Sequence, residues 1–225
     1  MLKLIGISGK IGSGKDTFAE IIRLLTSMPY LTNETIEHYL TNPNKNVMRT
    51  EWSVKKFAGK LKEVATLLTG IPTHKFEDQD FKKTNLPEEW NTWYPNQDRS
   101  EPMTVREFLQ KLGTDAMRNG LHTNTWVNAT FANFSNTSRW LVTDVRFPNE
   151  AAAIIEKGGL LVRLERDSDT GDHPSETSLD NYDFNIVIEN NGSLVELIQK
   201  TREFCQTYKI MYVEDDFPPH IESFI

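Results

Sequence analysis

Apolar residues along this chain fall alternately in short runs and at helical spacings, and that alternation predicts a fold before any chemistry enters. Leu4, Ile5 and Ile7 make a brief apolar run, the pattern of a strand buried on both faces. Phe18, Ile21, Ile22 and Leu25 follow at i, i+3, i+4 and i+7, one face of a helix that should stop by Met28-Pro29. Tyr30 to Thr50 is polar and predicts a short weak helix and a loop. Trp52 to Phe57 reads as a second strand, and Leu61, Val64, Ala65 and Leu68 repeat at helical spacing until Gly70-Ile71-Pro72 ends them. From His74 to Pro102 the chain is polar but rich in aromatics, longer than an ordinary connection, and expected to hold short helices that cover part of a cleft. Packing within that stretch is the first expectation for Phe76, Phe81, Trp90, Trp93 and Tyr94, and stacking on a base the second.

Thr104-Val-Arg-Glu107 is a capping box, so a helix begins there with Val105, Phe108, Leu109 and Leu112 as its buried stripe. Trp126, Val127, Phe131 and Phe134 continue an apolar helical face toward Asn136. Trp140 to Asp144 reads as a buried strand ending in a carboxylate. Ala151 to Lys157 is a helix stopped by Gly158-Gly159, and Leu160–Glu165 and Phe184–Glu189 are further strands. Asn190-Asn191-Gly192 is a turn, and Ser193-Leu-Val-Glu196 caps a last helix lined by Leu194, Leu197, Ile198, Thr201 and Cys205. Strands alternating with helices predict an α/β sandwich with a mainly parallel central sheet.

Between the first strand and the first helix lies Gly9-Lys10-Ile11-Gly12-Ser13-Gly14-Lys15, which fits G-x-x-x-x-G-K. Glycines let the backbone wrap closely around a polyphosphate. The N–H groups then face the anion, the helix adds its positive end, and Lys15 supplies a mobile charge. The motif expects Ser or Thr directly after the lysine as a magnesium ligand. Asp16 stands there instead, with the hydroxyl one place later at Thr17. Asp16 suits Mg²⁺ held through water, and Thr17 an α-phosphate; the exchange argues against a GTPase or motor ATPase.

Other candidates are weaker. Lys60 and Lys62 fall in the first turn of a predicted helix, against the dipole preference, where they serve either an anionic ligand or the solvent. Arg106, Gln110 and Gly113 share a polar stripe, with Thr114 and Arg118 beyond; that set suits a phosphate and a base edge, or simply a wet face. Asp144 ends a strand where ligands of parallel sheets collect. His173, in a polar loop without an identifiable partner, is discounted as a base.

The 225 residues allow one substantial core, or one core with an inserted lid. A net charge of −7 argues against a polymeric nucleic-acid footprint. A single cysteine excludes an internal disulfide, and the absence of a run near the length of a membrane span or of a leader pattern predicts a soluble protein of the cytoplasm.

The chain resembles the deoxynucleoside monophosphate kinases of large bacteriophages. The resemblance rests on SGKIGSGKDT (8–17), FAGKLKEVATLLTGIP (57–72), VREFLQKLGTDAMR (105–118), TDVRFPNEAAAI (143–154) and HPSET (173–177), in the right order over most of the chain. It implies an adenylate-kinase-like P-loop kinase, a three-layer α/β sandwich, moving the γ-phosphoryl of ATP to a dNMP with Mg²⁺, in the host cytoplasm if phage-encoded. It further implies one domain with its core at about 1–29, 51–72, 104–165 and 184–208, an acceptor or cover insertion at about 73–103, and a lid at about 166–178. By the same resemblance, Gly12, Ser13, Gly14, Lys15, Asp16 and Thr17 would hold ATP phosphates, with Arg166 opening the lid and Asn191 in a turn beside adenine. Lys10, Lys62, Arg106, Gln110, Thr114, Arg118, Trp126, Asp144, Arg146 and Glu150 would serve the acceptor. Lys15, Arg118, Arg146 and Asp144 would be catalytic, with Asp16 the water-mediated metal ligand. A homodimer stays open. The alternatives are dephospho-coenzyme A kinase and phosphomevalonate kinase, which share the P-loop and late-strand features, and, from another class, a nucleotide-dependent switch or ATPase with a protein partner.

Overall fold

Leu4–Ser8 forms β1, buried at every position, which is what a strand covered on both faces requires. In the computed structural model, which describes residues 2–42, 50–90, 102–135, 137–167 and 177–211, β1 lies at the centre of a five-stranded sheet. The other strands are β2 (Ser53–Lys55), β3 (Trp140–Val142), β4 (Leu160–Glu165) and β5 (Ile186–Glu189), in the order β2-β3-β1-β4-β5. Every neighbouring pair is parallel, with Ile5 opposite Leu141 on one side and Leu160 on the other. The chain leaves β1 toward β2, then crosses back from β3 to β4 on the far side, so the connection reverses at β1. Ligand crevices of open parallel sheets form outside the carboxyl ends at such a point.

Helices cover both faces. On one, α1 (Lys15–Ser27), α2 (Asn33–Thr41) and α7 (Leu194–Thr207) share a core with the sheet through Phe18, Ile22, Ile36, Ile198 and Phe204. On the other, α6 (Pro148–Glu156) packs so tightly that a Cβ at Gly6 would collide with Ile154 Cδ1. Cys205 belongs to the core, and burial pushes its thiol up to about 12. Arg202 of α7 holds the start of α2 by donating to the carbonyls of Pro29 and Leu31 and to Asn33 Oδ1.

The chain folds as two compact units, Met1–Lys55 with Phe134–Ile225, and Lys56–Asn133. The first carries the sheet. The second contains α3 (Phe57–Thr69), α4 (Val105–Gln110), a π-helical run Lys111–Asn119 and α5 (Thr125–Phe131). Its core holds Ala65, Phe76, Leu86, Val105, Phe108, Leu109 and Leu112. The predicted insertion 73–103 lies within this unit. Its short helices are 3-10 turns at Thr73–Glu77, Phe81–Lys83 and Glu88–Trp90. Its aromatics pack locally: Phe76 is buried, and Trp90 meets Phe108 edge-on at 5.1 Å. Trp93, Tyr94, His173 and residues 168–176 of the expected lid lie outside the described residues.

Three expectations differ from the structure. Leu68, one of the apolar residues at helical spacing, is 50% exposed, because the last turn of α3 turns Leu67 and Leu68 outward while Ala65 and Lys62 face in. The helix expected to run to Asn136 stops at Phe131, and Phe134 instead packs edge-on against Trp140 at 5.0 Å. The helix placed at Ala151 starts earlier, at Pro148, whose missing N–H and fixed φ suit a first helical position.

Candidate functional site

Because the strands are parallel, their carboxyl ends share one edge of the sheet, and four segments meet there: the loop after Ser8, Thr143-Asp144 after β3, Arg166 after β4 and Asn190 after β5. The loop after β1 has the geometry its glycines predicted. Gly12 has φ +81° and Gly14 φ +90°, values that L side chains rarely adopt. The Ser13 N–H donates to the Lys10 carbonyl at 3.1 Å, and Phe18 N–H to the Gly14 carbonyl at 2.8 Å, so α1 begins directly on the loop. Lys15 Nζ reaches back to the Lys10 carbonyl at 3.3 Å, which lays the ammonium along the loop. Ser13 is buried with an unpartnered Oγ.

Asp16, in the first turn of α1, is exposed and accepts a hydrogen bond from Thr143 Oγ1 at 3.1 Å. Thr143 is fully buried and Asp144 is 9% exposed. Two carboxylates and the hydroxyls of Thr17 and Thr143 thus come from neighbouring elements. Such hard oxygen donors fit a magnesium ion that keeps several of its waters. Among the described residues no group of three or more His, Cys, Asp or Glu gathers around a common point.

Beside the loop, a cavity of about 740 Å³ is lined by Lys10, Arg163, Leu164, Glu165, Arg166, Asp167 and Asp180. Arg163 is a residue the sequence reading passed over. It is 6% exposed, donates from Nη1 to Ser8 Oγ at 3.1 Å and from Nη2 to Asp180 Oδ1 at 2.8 Å, and lies over the Phe184 ring at 5.6 Å. A buried guanidinium needs such partners, since stripping its water without them is prohibitive. The available signal was one cation inside the otherwise apolar Leu160–Leu164 run.

Glu150, expected at the acceptor, is 2% exposed, and its Oε2 accepts the backbone N–H groups of Arg146 (2.9 Å) and Phe147 (3.2 Å). It caps α6 from the third helical position and fixes the backbone that carries the half-buried Arg146. Pro148 followed by Glu150 was the readable sign of this helix start.

The second unit holds the remaining acceptor candidates. Both lysines of α3 have carboxylate partners: Lys60 pairs with Glu63 at 2.6 Å, and Lys62, 8% exposed, with Glu77 at 2.5 Å. Thr104 Oγ1 accepts the Glu107 N–H at 3.2 Å, as its capping box predicted. Beyond Gln110 the chain turns to a π-helix, a rare form found often at functional sites. In that run Gly113 is buried, Thr114 exposed and Arg118 half-buried, while Arg106 and Gln110 stand exposed on α4. Arg106 Nη2 donates to Gln79 Oε1 at 3.2 Å. Trp126 is buried, and its Nε1 donates to the Gly113 carbonyl at 2.9 Å, so the indole braces the π turn.

Known proteins resemble this chain in sequence. The profile of one family, Deoxynucleotide monophosphate kinase, matches residues 68–201. A protein of Acanthamoeba polyphaga mimivirus, provisionally named for that activity, is 27% identical over 213 residues, covering 86% of this chain and 91% of its own. The deoxynucleotide monophosphate kinase of Enterobacteria phage T4 is 25% identical over 244 residues, covering 89% of this chain and 98% of its own. Its namesake from Escherichia phage RB69 is 29% identical over 114 residues, about half of each chain (48% and 47%).

Proposed function

This chain belongs to the deoxynucleotide monophosphate kinase family, and from that premise we propose that it transfers the γ-phosphoryl of ATP to a dNMP, giving ADP and a dNDP for dNTP synthesis. The observation that supports this reading best is the loop between β1 and α1, with Gly12 and Gly14 at positive φ on the carboxyl edge of a parallel sheet. A glycine loop that runs straight into a helix start favours a polyphosphate. The reaction is an in-line displacement. An anionic oxygen of the dNMP phosphate bonds to the γ-phosphorus as the bond to the β-bridging oxygen breaks, and the electrons leave on ADP. No base is required, because the attacking oxygen already carries its charge. The protein's contribution is positioning and charge neutralisation.

In this reading Gly12 to Thr17 hold the donor phosphates, Lys15 follows the charge onto the leaving oxygen, and Arg166 and Asn191 belong to the donor side. Mg²⁺ would be held at Asp16, with Asp144 ordering one of its waters; when bound, it neutralises phosphate charge. By the family resemblance, Lys10, Arg106, Gln110, Thr114, Arg118, Asp144 and Arg146 are assigned to the acceptor. Arg118 and Arg146 present planar forks suited to bidentate phosphate contacts. Lys62, Trp126 and Glu150 support the acceptor site through the groups they brace. The cytoplasm is the expected compartment; among the described residues no helix is long and apolar enough to cross a membrane.

The test is coupled ADP release with dTMP, dGMP, dCMP, dephospho-coenzyme A and phosphomevalonate as acceptors. Turnover with at least one dNMP and none with the last two is expected. Reaction with a non-nucleotide acceptor alone, or hydrolysis independent of any acceptor, refutes the reading.

A further inference from the structure

Asn190 and Asn191 follow β5 directly, and each side chain reaches a different loop of the same unit. Asn190 is 6% exposed; its Nδ2 donates to the Ser13 carbonyl at 2.9 Å, and its backbone N–H donates to the Glu165 carbonyl at 2.7 Å. Asn191 makes a two-way pair with Asp167: its Oδ1 accepts the Asp167 N–H at 2.8 Å, and its Nδ2 donates to the Asp167 carboxylate at 2.9 Å. The bonds to Glu165 and Asp167 bracket Arg166 on both sides. One turn therefore fixes the phosphate loop and the backbone of the arginine after β4. A change of direction after a strand needs no such reach, since Gly192 next door already supplies turn chemistry.

The Ser13–Gly14 peptide is planar and trans, so its carbonyl and N–H point in opposite directions. With the Ser13 carbonyl turned onto Asn190, the Gly14 N–H points away from it. Gly14 adopts φ +90°, and a Cβ there would lie 2.5 Å from Asn190 Nδ2. The motif glycine and the distant asparagine fit each other. Without the amide, the Ser13 carbonyl would be left inside the fold without this partner, and the peptide would be free to rotate.

We propose that Asn190 is a positioning residue of the donor site. It locks the Ser13–Gly14 peptide so that the Gly14 N–H faces the donor phosphates, while Asn191, through Asp167, holds Arg166 on the same side. The inference rests on the phosphoryl-transfer reading for the identity of the donor, and its substance is that these amides set donor affinity without serving the acceptor.

Asn190→Asp keeps the size of the side chain and replaces the donating nitrogen with an oxygen facing the Ser13 carbonyl; Asn190→Ala removes the bond without repulsion. Both are expected to raise the KM for ATP and weaken ATP binding, measured calorimetrically without acceptor, by about tenfold or more. The dNMP KM should stay within about twofold. Asn191→Ala should move the same two quantities by less. Unchanged ATP affinity in a folded variant overturns the inference. So does an equal loss for both substrates with a lowered melting temperature, the mark of a merely structural role. Should the aspartate variant fail to fold, the alanine variant decides. If the wild type binds ATP yet phosphorylates no dNMP, the reaction reading falls while the calorimetric comparison still decides the role of Asn190.

Discussion

The two units bury polar groups to different ends. In the sheet-bearing unit Ser8, Ser13, Thr143, Asp144, Arg163 and Asn190 are all buried at or near the carboxyl ends of strands, most of them tied to a residue far away in sequence. In the unit from Lys56 to Asn133, the buried polar side chains among the described residues are Lys62 and Thr130, and the candidate ligand groups Arg106, Gln110 and Thr114 stand on exposed helix positions. A buried hydrogen-bonded network holds its geometry before a ligand arrives; an exposed side chain must be ordered by it. The contrast separates groups held in place before a ligand arrives from groups that a ligand must order. Losses should then be steep at the sheet edge and graded in the second unit.

The most severe test of that contrast is Lys15→Ala. Turnover should fall about 10²–10³-fold or more with the fold intact, because in the proposed reaction Lys15 supplies charge to the transferred phosphoryl; near-normal activity would remove the loop from the mechanism. Arg146→Ala should lower kcat or raise the acceptor KM by about tenfold with little change in ATP binding. An equal loss of ATP affinity would move Arg146 to the donor side and blur the comparison. Glu150→Ala removes the acceptor of two backbone N–H groups, and unfolding titrations should show a loss of about 1–2 kcal/mol. Wild-type stability in that variant would mean that the α6 cap contributes nothing. Trp126→Phe takes the donor from the Gly113 carbonyl and should destabilise by about 1 kcal/mol. If the π turn depends on that brace, the dNMP KM should rise with it while ATP binding holds. The smallest effect belongs to Leu67→Ser, at a position 84% exposed, which should change stability by less than about 0.5 kcal/mol; a larger drop would reveal a partner for this face.

Much of the sheet-bearing unit was legible because its signals are local. The apolar run of β1, the two glycines of the loop and the spacing of Phe18, Ile21, Ile22 and Leu25 each constrain a few consecutive residues, and the structure has them as expected. Capping boxes at Thr104 and Ser193 behaved the same way, each hydroxyl accepting the N–H three residues on. Where the reading failed, the deciding contact was distant. Leu68 has the right spacing for a buried stripe, yet it is the packing of α3 against its own unit that decides which face is covered. A helical period cannot announce a π-helix, because the widened turn from Lys111 is braced by Trp126, thirteen residues past Gly113.

By itself, then, the sequence determined the alternation of strands and helices, the glycine loop after β1 and the family, since propensity, glycine conformation and capping act within a turn or two of the chain. The tertiary structure alone decided that Arg163 would be buried against Ser8 and Asp180, that Thr143 would hold Asp16, and that Asn190 would reach Ser13 across 177 positions. A buried polar group must find its partner in space, and which partner that is depends on the order of strands in the sheet rather than on any neighbour in the chain.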